Sequence, residues 1–142
     1  MNGNLFLADT NAILYLLNGN SCMKQYVNSN FLVSIISEME LLGYSSISQD
    51  ESDIIKKFLS LCKIENISTD IKEKTIELRK LYNIKLPDAI IASTAIINSV
   101  PLLSADTIFS MIDNGSFIPY HKSWIDILFY RSKIRSNKVF GN

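Results

Sequence analysis

The feature that most constrains the fold is a short run, apolar at every position, that stops at an acid: Leu5-Phe6-Leu7-Ala8, then Asp9-Thr10-Asn11. A strand with one face in water alternates apolar and polar residues. A short continuous apolar run reads instead as a strand buried on both faces, as in a parallel sheet covered by helices. The device recurs along the chain. Phe31-Leu-Val-Ser-Ile-Ile36 is rich in β-branched residues and predicts a second strand. Lys63–Ile67 predicts a third, Pro101-Leu-Leu-Ser-Ala105 a fourth and Phe117–Tyr120 a last short one.

Helical patterns fall between these runs. Ala12–Leu17 is a helix closed by Asn18-Gly19-Asn20, and a short helix lies around Met23–Val27. Ser37 with Glu40 three residues on has the spacing of a capping box and opens a helix through Leu41 and Leu42. Asp50 or Ser52 starts another, whose apolar positions Ile54, Ile55, Phe58, Leu59 and Cys62 recur at helical spacing. Thr69 or Asp70 caps a helix with Ile71, Thr75, Leu78 and Tyr82 on one stripe. Pro87 suits a first helical turn, where its missing N–H costs nothing, and Ala89–Ile97 behind it is apolar on nearly every face, as in a buried helix. Asp106 opens a short helix with Ile108, Phe109 and Met111, and Trp124–Ile134 reads as a terminal helix with a frayed tail past Ser136. Strands interleaved with helices predict an α/β chain, a three-layer α/β/α sandwich on a mostly parallel sheet. Phe31, Phe58 and Phe109 fit its core, while Tyr15, Tyr44 and Tyr82 fit either packing or a binding face.

Length and composition agree with one domain over residues 1–142. The chain is 142 residues long and 47% hydrophobic, enough for a core of its own. One histidine and two cysteines exclude a multi-His metal site, a four-Cys zinc cluster and a disulfide scaffold. Cys22 and Cys62 read as free thiols, and His121 as a surface or strand-end residue. No signal-like leader is visible, and the longest strongly apolar stretch, Ala89–Ile97, falls well short of the roughly 20 residues that span a bilayer, so a cytoplasmic protein is expected. Fourteen basic residues balance fourteen acidic ones. The balance is uneven in position: residues 1–71 carry four basic against eight acidic residues, a net of −4, and residues 72–142 carry ten against six, a net of +4. A basic helix and tail from about residue 122 form either a solvated face or a patch that attracts polyanions.

In an open parallel sheet, ligands bind beyond the carboxyl ends of the strands. Four acids fall there. Asp9 ends the first strand, Glu40 follows the second by a helical turn, Asp88 opens the buried helix and Asp106 ends the fourth strand. Each has a capping role open to it, and capping does not exclude catalysis. Four carboxylates on one rim repel unless cations neutralise them. Hard oxygen donors suit Mg²⁺ or Mn²⁺, and such a site can support phosphodiester hydrolysis.

At these residues the chain resembles a known family. Leu5-Phe-Leu-Ala-Asp-Thr-Asn-Ala-Ile-Leu14, Val33-Ser-Ile-Ile-Ser-Glu-Met-Glu-Leu-Leu-Gly43, Leu86-Pro-Asp-Ala-Ile-Ile-Ala-Ser-Thr-Ala95 and Leu102-Leu-Ser-Ala-Asp-Thr-Ile-Phe109 look, in order, like the four motifs of PIN-domain ribonucleases, in particular the VapC-like toxins of toxin–antitoxin pairs. The resemblance covers residues 5 to about 120. It implies a sheet of about five strands, a metal-dependent endoribonuclease acting on tRNA or rRNA, a cognate antitoxin and a homodimer. It implies Asp9, Glu40, Asp88 and Asp106 as the catalytic, metal-binding acids (Mg²⁺ or Mn²⁺), with Thr10, Asn11 and Ser37 supporting them. Glu38, two residues from Glu40, points elsewhere on a helix and reads as surface. The C-terminal segment departs from a minimal member in being longer and more basic.

Two other classes compete. One is a PIN-like module that binds RNA or protein without hydrolysis. The other is phosphoryl transfer through an aspartyl intermediate, against which position 11 is Asn, so that no Asp-x-Asp pair exists, and no adjacent acids stand at the first strand end. The single histidine also favours a carboxylate-and-metal mechanism over one based on imidazoles.

Overall fold

A computed structural model describes residues 4–112 and 117–119. The elements run β1 (Leu5–Ala8), α1 (Thr10–Leu17), a 3-10 helix over Ser21–Tyr26, β2 (Asn30–Ser34), α2 (Ile35–Leu42), α3 (Gln49–Ser60), β3 (Lys63–Glu65), α4 (Thr69–Leu81), α5 (Leu86–Asn98), β4 (Leu102–Ser104), a 3-10 helix over Thr107–Met111 and β5 (Phe117–Pro119). The expected helix Trp124–Ile134, the tail beyond it and His121 lie outside the described residues.

The five strands form one sheet in the order β3-β2-β1-β4-β5, and every neighbouring pair is parallel. Leu7 pairs with Leu32 on one side and Leu102 on the other, so the carboxyl ends of β1, β2 and β4 reach one rim together. Alternation along the strands splits the core in two. Phe6, Ala8, Phe31, Val33 and Leu103 face one layer, which holds Ala12, Ile13 and Tyr15 of α1, Leu41 of α2 and Ile55 and Leu59 of α3. Leu7, Leu32 and Leu102 face the other, made by Leu78 of α4, Ala89, Ile91, Ala92 and Ala95 of α5, with Phe109 and Ile112. The expected three-layer α/β/α sandwich on a parallel five-stranded sheet is the observed one. Fully burying an aliphatic side chain contributes roughly 1.5–3 kcal/mol, so each layer is held mainly by this interdigitation. Phe31 and Phe109 lie in the core as expected, Phe58 is half-buried beside Phe31, and Tyr15 is a core residue rather than a surface one. Tyr44 is exposed and Tyr82 half-buried.

The helix starts correct the sequence reading. The capping box expected at Ser37 and Glu40 is absent: α2 begins at Ile35, and Ser34 caps it by accepting from the Ile36 N–H at 3.2 Å. Ile35 and Ile36 favour a strand locally, but the chain turns at Ser34, and tertiary context overrides β-propensity. The capping box lies instead at Ser48 and Glu51, where Ser48 Oγ accepts from the Glu51 N–H at 3.1 Å and Glu51 accepts from the Ser48 N–H at 3.2 Å. This places the start of α3 ahead of Asp50 and Ser52. Ser68, not Thr69 or Asp70, caps α4. In each case the serine is the last extended residue before the helix, and its short side chain reaches back to the free N–H groups.

α5 has Pro87 in its first turn and is buried from Ala89 through Ala95, packed against α4, α2 and β2. No disulfide joins Cys22 and Cys62, and burial pushes the Cys62 thiol up to about 11. Among the described residues no helix is long and apolar enough to cross a membrane.

Candidate active site

The sheet order fixes where a ligand crevice opens. The chain lays down β1, β2 and β3 in one direction, then crosses back to place β4 and β5 on the other side of β1. The β1–β4 border is therefore the switch point of the topology, where the loops leaving the strand ends part. Asp9 leaves β1 at this border, and its N–H donates to Leu103 O at 3.3 Å. The Asp9 carboxylate is almost fully buried and caps α1, Oδ1 accepting from the Ala12 N–H at 2.8 Å. Its other oxygen accepts a hydrogen bond from the Ser104 hydroxyl at the end of β4. Ser104 Oγ in turn accepts from the Asp106 N–H at 3.0 Å, and Asp106 caps the following 3-10 helix by accepting from the Ile108 N–H at 3.0 Å.

On the other side of Asp9 stands a second polar chain. Thr10 Oγ1 is 3.0 Å from Ser37 Oγ and 2.9 Å from Glu40 Oε1. A carboxylate only accepts and a hydroxyl has one proton, so Thr10 donates to Glu40 and Ser37 donates to Thr10. Ser37 is fully buried and holds this bridge from inside α2. Freed from the expected capping role, Glu40 is exposed at the rim. Asn11 is also exposed, and among the described residues it makes no hydrogen bond to any of the four acids.

Asp88 stands half-buried in the first turn of α5. Its carboxyl is held above the usual carboxylate range, first by burial and then by the negative charges of Asp106 and Glu40, with Lys85 pulling the other way. The charges of Asp106 and Glu40 thus reach Asp88, though the three acids come from the end of β4, α2 and α5. Glu38 is not among the charges acting on Asp88. The four acids are thus linked in three ways: Asp9 to Asp106 through Ser104, Asp9 to Glu40 through the adjacent Thr10, and Asp88 to Glu40 and Asp106 through the field. The donor set is all oxygen and anionic, which fits a hard divalent cation. In the side-chain arrangement at hand, no group of three or more His, Cys, Asp and Glu among the described residues is gathered to hold an ion.

Sequence reasoning did not single out Ser104 or Ser34. A signal for both was available: each is the one polar residue at the carboxyl end of a buried strand, a place where a side chain leaves the core and meets the rim.

With this geometry in hand, comparison with known proteins defines the class. Residues 6–115 match the PIN domain family, and the chain belongs to it. The chain is 30% identical to a chain of a toxin–antitoxin complex from Klebsiella pneumoniae, with a TM-score of 0.72 over 83% of this chain and 99% of that one. Chains of two further structures share the fold: VapBC2 from Rickettsia felis bound to a DNA fragment from its promoter (23% identity, TM-score 0.69, 82% of this chain and 99% of that one) and DNA-bound VapBC from Salmonella typhimurium (19%, 0.71, 82% and 98%). Among curated proteins no relative matches.

Proposed function

We propose that this chain is a divalent-metal-dependent endoribonuclease and the toxin of a toxin–antitoxin pair, acting on RNA such as tRNA or rRNA in the cytoplasm. One observation carries the reading: burial first, and then the negative charges of Asp106 and Glu40, raise the affinity of the Asp88 carboxyl for its proton, on the rim where the switch point delivers Asp9. Gathering like charges lowers folding stability, so a rim that gathers them is suited to a cation and to a cationic partner of a phosphate. Asp9, Glu40, Asp88 and Asp106 would hold Mg²⁺ or Mn²⁺. When bound, the ion would neutralise charge on the scissile phosphate and supply an activated water.

The chain's own residues supply the positioning. Asp9 is pinned by the Ala12 N–H and by Ser104, and Glu40 by Thr10, with Ser37 behind it. Asn11 is the least supported of the assisting residues. Lys85 is exposed at the N-cap of α5, and its charge is felt at Asp88, so its ammonium stands where an incoming RNA phosphate would need a counter-charge. The basic segment from about residue 122 of the 142-residue chain would add attraction along the RNA backbone. The likeness to chains of toxin–antitoxin complexes supports a cognate antitoxin as partner, and a homodimer is the proposed assembly.

A second reading, a PIN-like module that binds RNA or protein without hydrolysis, is favoured by the absence of a gathered ion-holding group among the described residues. Expression in a bacterial host separates the two. Growth arrest by the parent that disappears with Asp9→Asn supports the nuclease reading. Arrest of equal strength from both proteins would rule it out.

A further inference from the structure

Ser104 carries an inference beyond the four acids. Its side chain is completely buried, yet it makes two polar contacts that both lead to acids of the rim. The hydroxyl donates to Asp9 Oδ2, a residue 95 positions away, and its oxygen accepts the Asp106 N–H at 3.0 Å. Asp9 belongs to β1 and Asp106 follows β4, so one hydroxyl ties together the acid-bearing ends of the two strands that border the switch point. The direction of the bonds is fixed by chemistry. The Asp106 backbone N–H can only donate, so the Ser104 oxygen accepts from it and the hydroxyl hydrogen is left to donate to Asp9.

We infer that Ser104 is a positioning residue of the candidate active site, setting the orientation of the Asp9 carboxylate and its separation from Asp106, and through that the affinity for a divalent ion. The inference rests on the nuclease reading above. A ligand oxygen is useful only when aimed, and groups that hydrogen-bond to metal ligands tune affinity and activity roughly 10- to 100-fold. Asp9 Oδ1 is held by the Ala12 N–H, which fixes one oxygen; Ser104 holds the other and thereby sets the rotation of the carboxylate plane. A serine kept only to satisfy the end of β4 would affect stability alone. A positioning serine affects ion affinity in molecules that are fully folded.

The test is titration of the purified full chain with Mn²⁺ by calorimetry, beside RNA cleavage and thermal melting, for the parent, Ser104→Ala and Ser104→Thr. The expected result is that folded Ser104→Ala binds Mn²⁺ about tenfold more weakly and loses about ten- to a hundredfold in kcat with KM for RNA within about twofold, while Ser104→Thr, which keeps the hydroxyl, recovers most of both. Should Ser104→Ala not fold, Ser104→Cys, close in size but a weak donor, is read by the same criteria. Parent-like Mn²⁺ affinity and kcat in the folded variant that lacks the hydroxyl overturns the inference, as does a folded Ser104→Thr that recovers nothing. A parent that neither binds Mn²⁺ nor cleaves RNA overturns the nuclease reading itself, and the positioning role with it. A parent that does both, beside an unaffected Ser104→Ala, overturns only the role of Ser104.

Discussion

Thr10 donates its hydroxyl hydrogen to Glu40 across 30 positions of sequence, at 2.9 Å. The bond joins the first residue of α1 to the exposed acid of α2 and keeps a long, flexible carboxylate at the rim. Replacing Thr10 with Val keeps the shape and removes the donor. Thr10→Val should lower RNA cleavage about 10- to 100-fold while changing stability by no more than about 1 kcal/mol. Cleavage assays with melting curves check both parts, and a folded variant with parental activity contradicts the prediction.

Asp88 should cost the metal-free protein stability. Its carboxyl holds a proton more tightly in the folded chain than an ordinary carboxyl does, through burial and through Asp106 and Glu40. The folded state thus binds more protons than the unfolded state as pH rises from the ordinary carboxylate range through the raised value, and stability falls across that window. Below the window both states are protonated and the cost vanishes. Asp88→Asn removes the charge, so without divalent ions it should melt a few degrees higher than the parent at neutral pH, an effect of about 1 kcal/mol or less after solvent screening, and match the parent near pH 3. Equal melting temperatures at neutral pH would show that the three carboxylates do not share a space.

The capping box belongs to α3. Ser48→Ala removes one half of it and should lower stability by about 1 kcal/mol, read as a drop in the urea midpoint with unchanged slope. Glu40→Gln, at the position whose spacing mimics such a box, should cause no such drop. Reversal of the two outcomes would place the box at Ser37 and Glu40.

Cys62 should be slow to alkylate. With its thiol at about 11, the thiolate is a minute fraction near neutral pH, and reaction with iodoacetamide should run roughly a hundredfold slower than that of free cysteine. Mass spectrometry of the folded protein reads the rate at this site, and labelling as fast as free cysteine contradicts the burial that causes the shift.

Much of the layout is legible in the sequence. Leu5–Ala8 is a strand with the predicted bounds because a short continuous apolar run suits a strand covered on both faces, and it ends at Asp9, whose side chain caps the helix that follows. Pro87 marked the start of α5, and the apolar stretch behind it proved buried from Ala89 to Ala95. The illegible parts are long-range. Ser34, Ser37 and Ser48 are equally good caps by residue type, and which one caps depends on where β2 turns into α2. Ser37 turned out to face Thr10 from inside the helix, a contact that local spacing does not encode. Ser104 meets Asp9 only because the crossover through α4 and α5 brings β4 beside β1. The elevated proton affinity of Asp88 likewise exists only once three distant segments share a rim.

The central claim is that the rim acids act on RNA through a divalent ion. The most direct measurement is the cleavage of RNA by purified protein with Mn²⁺, compared with Asp9→Asn, Asp88→Asn and the parent in excess chelator. The account predicts cleavage by the parent with Mn²⁺, abolished by chelator and reduced at least about a hundredfold by either substitution. Cleavage by the two variants at the parental rate, with their fold intact, would contradict it.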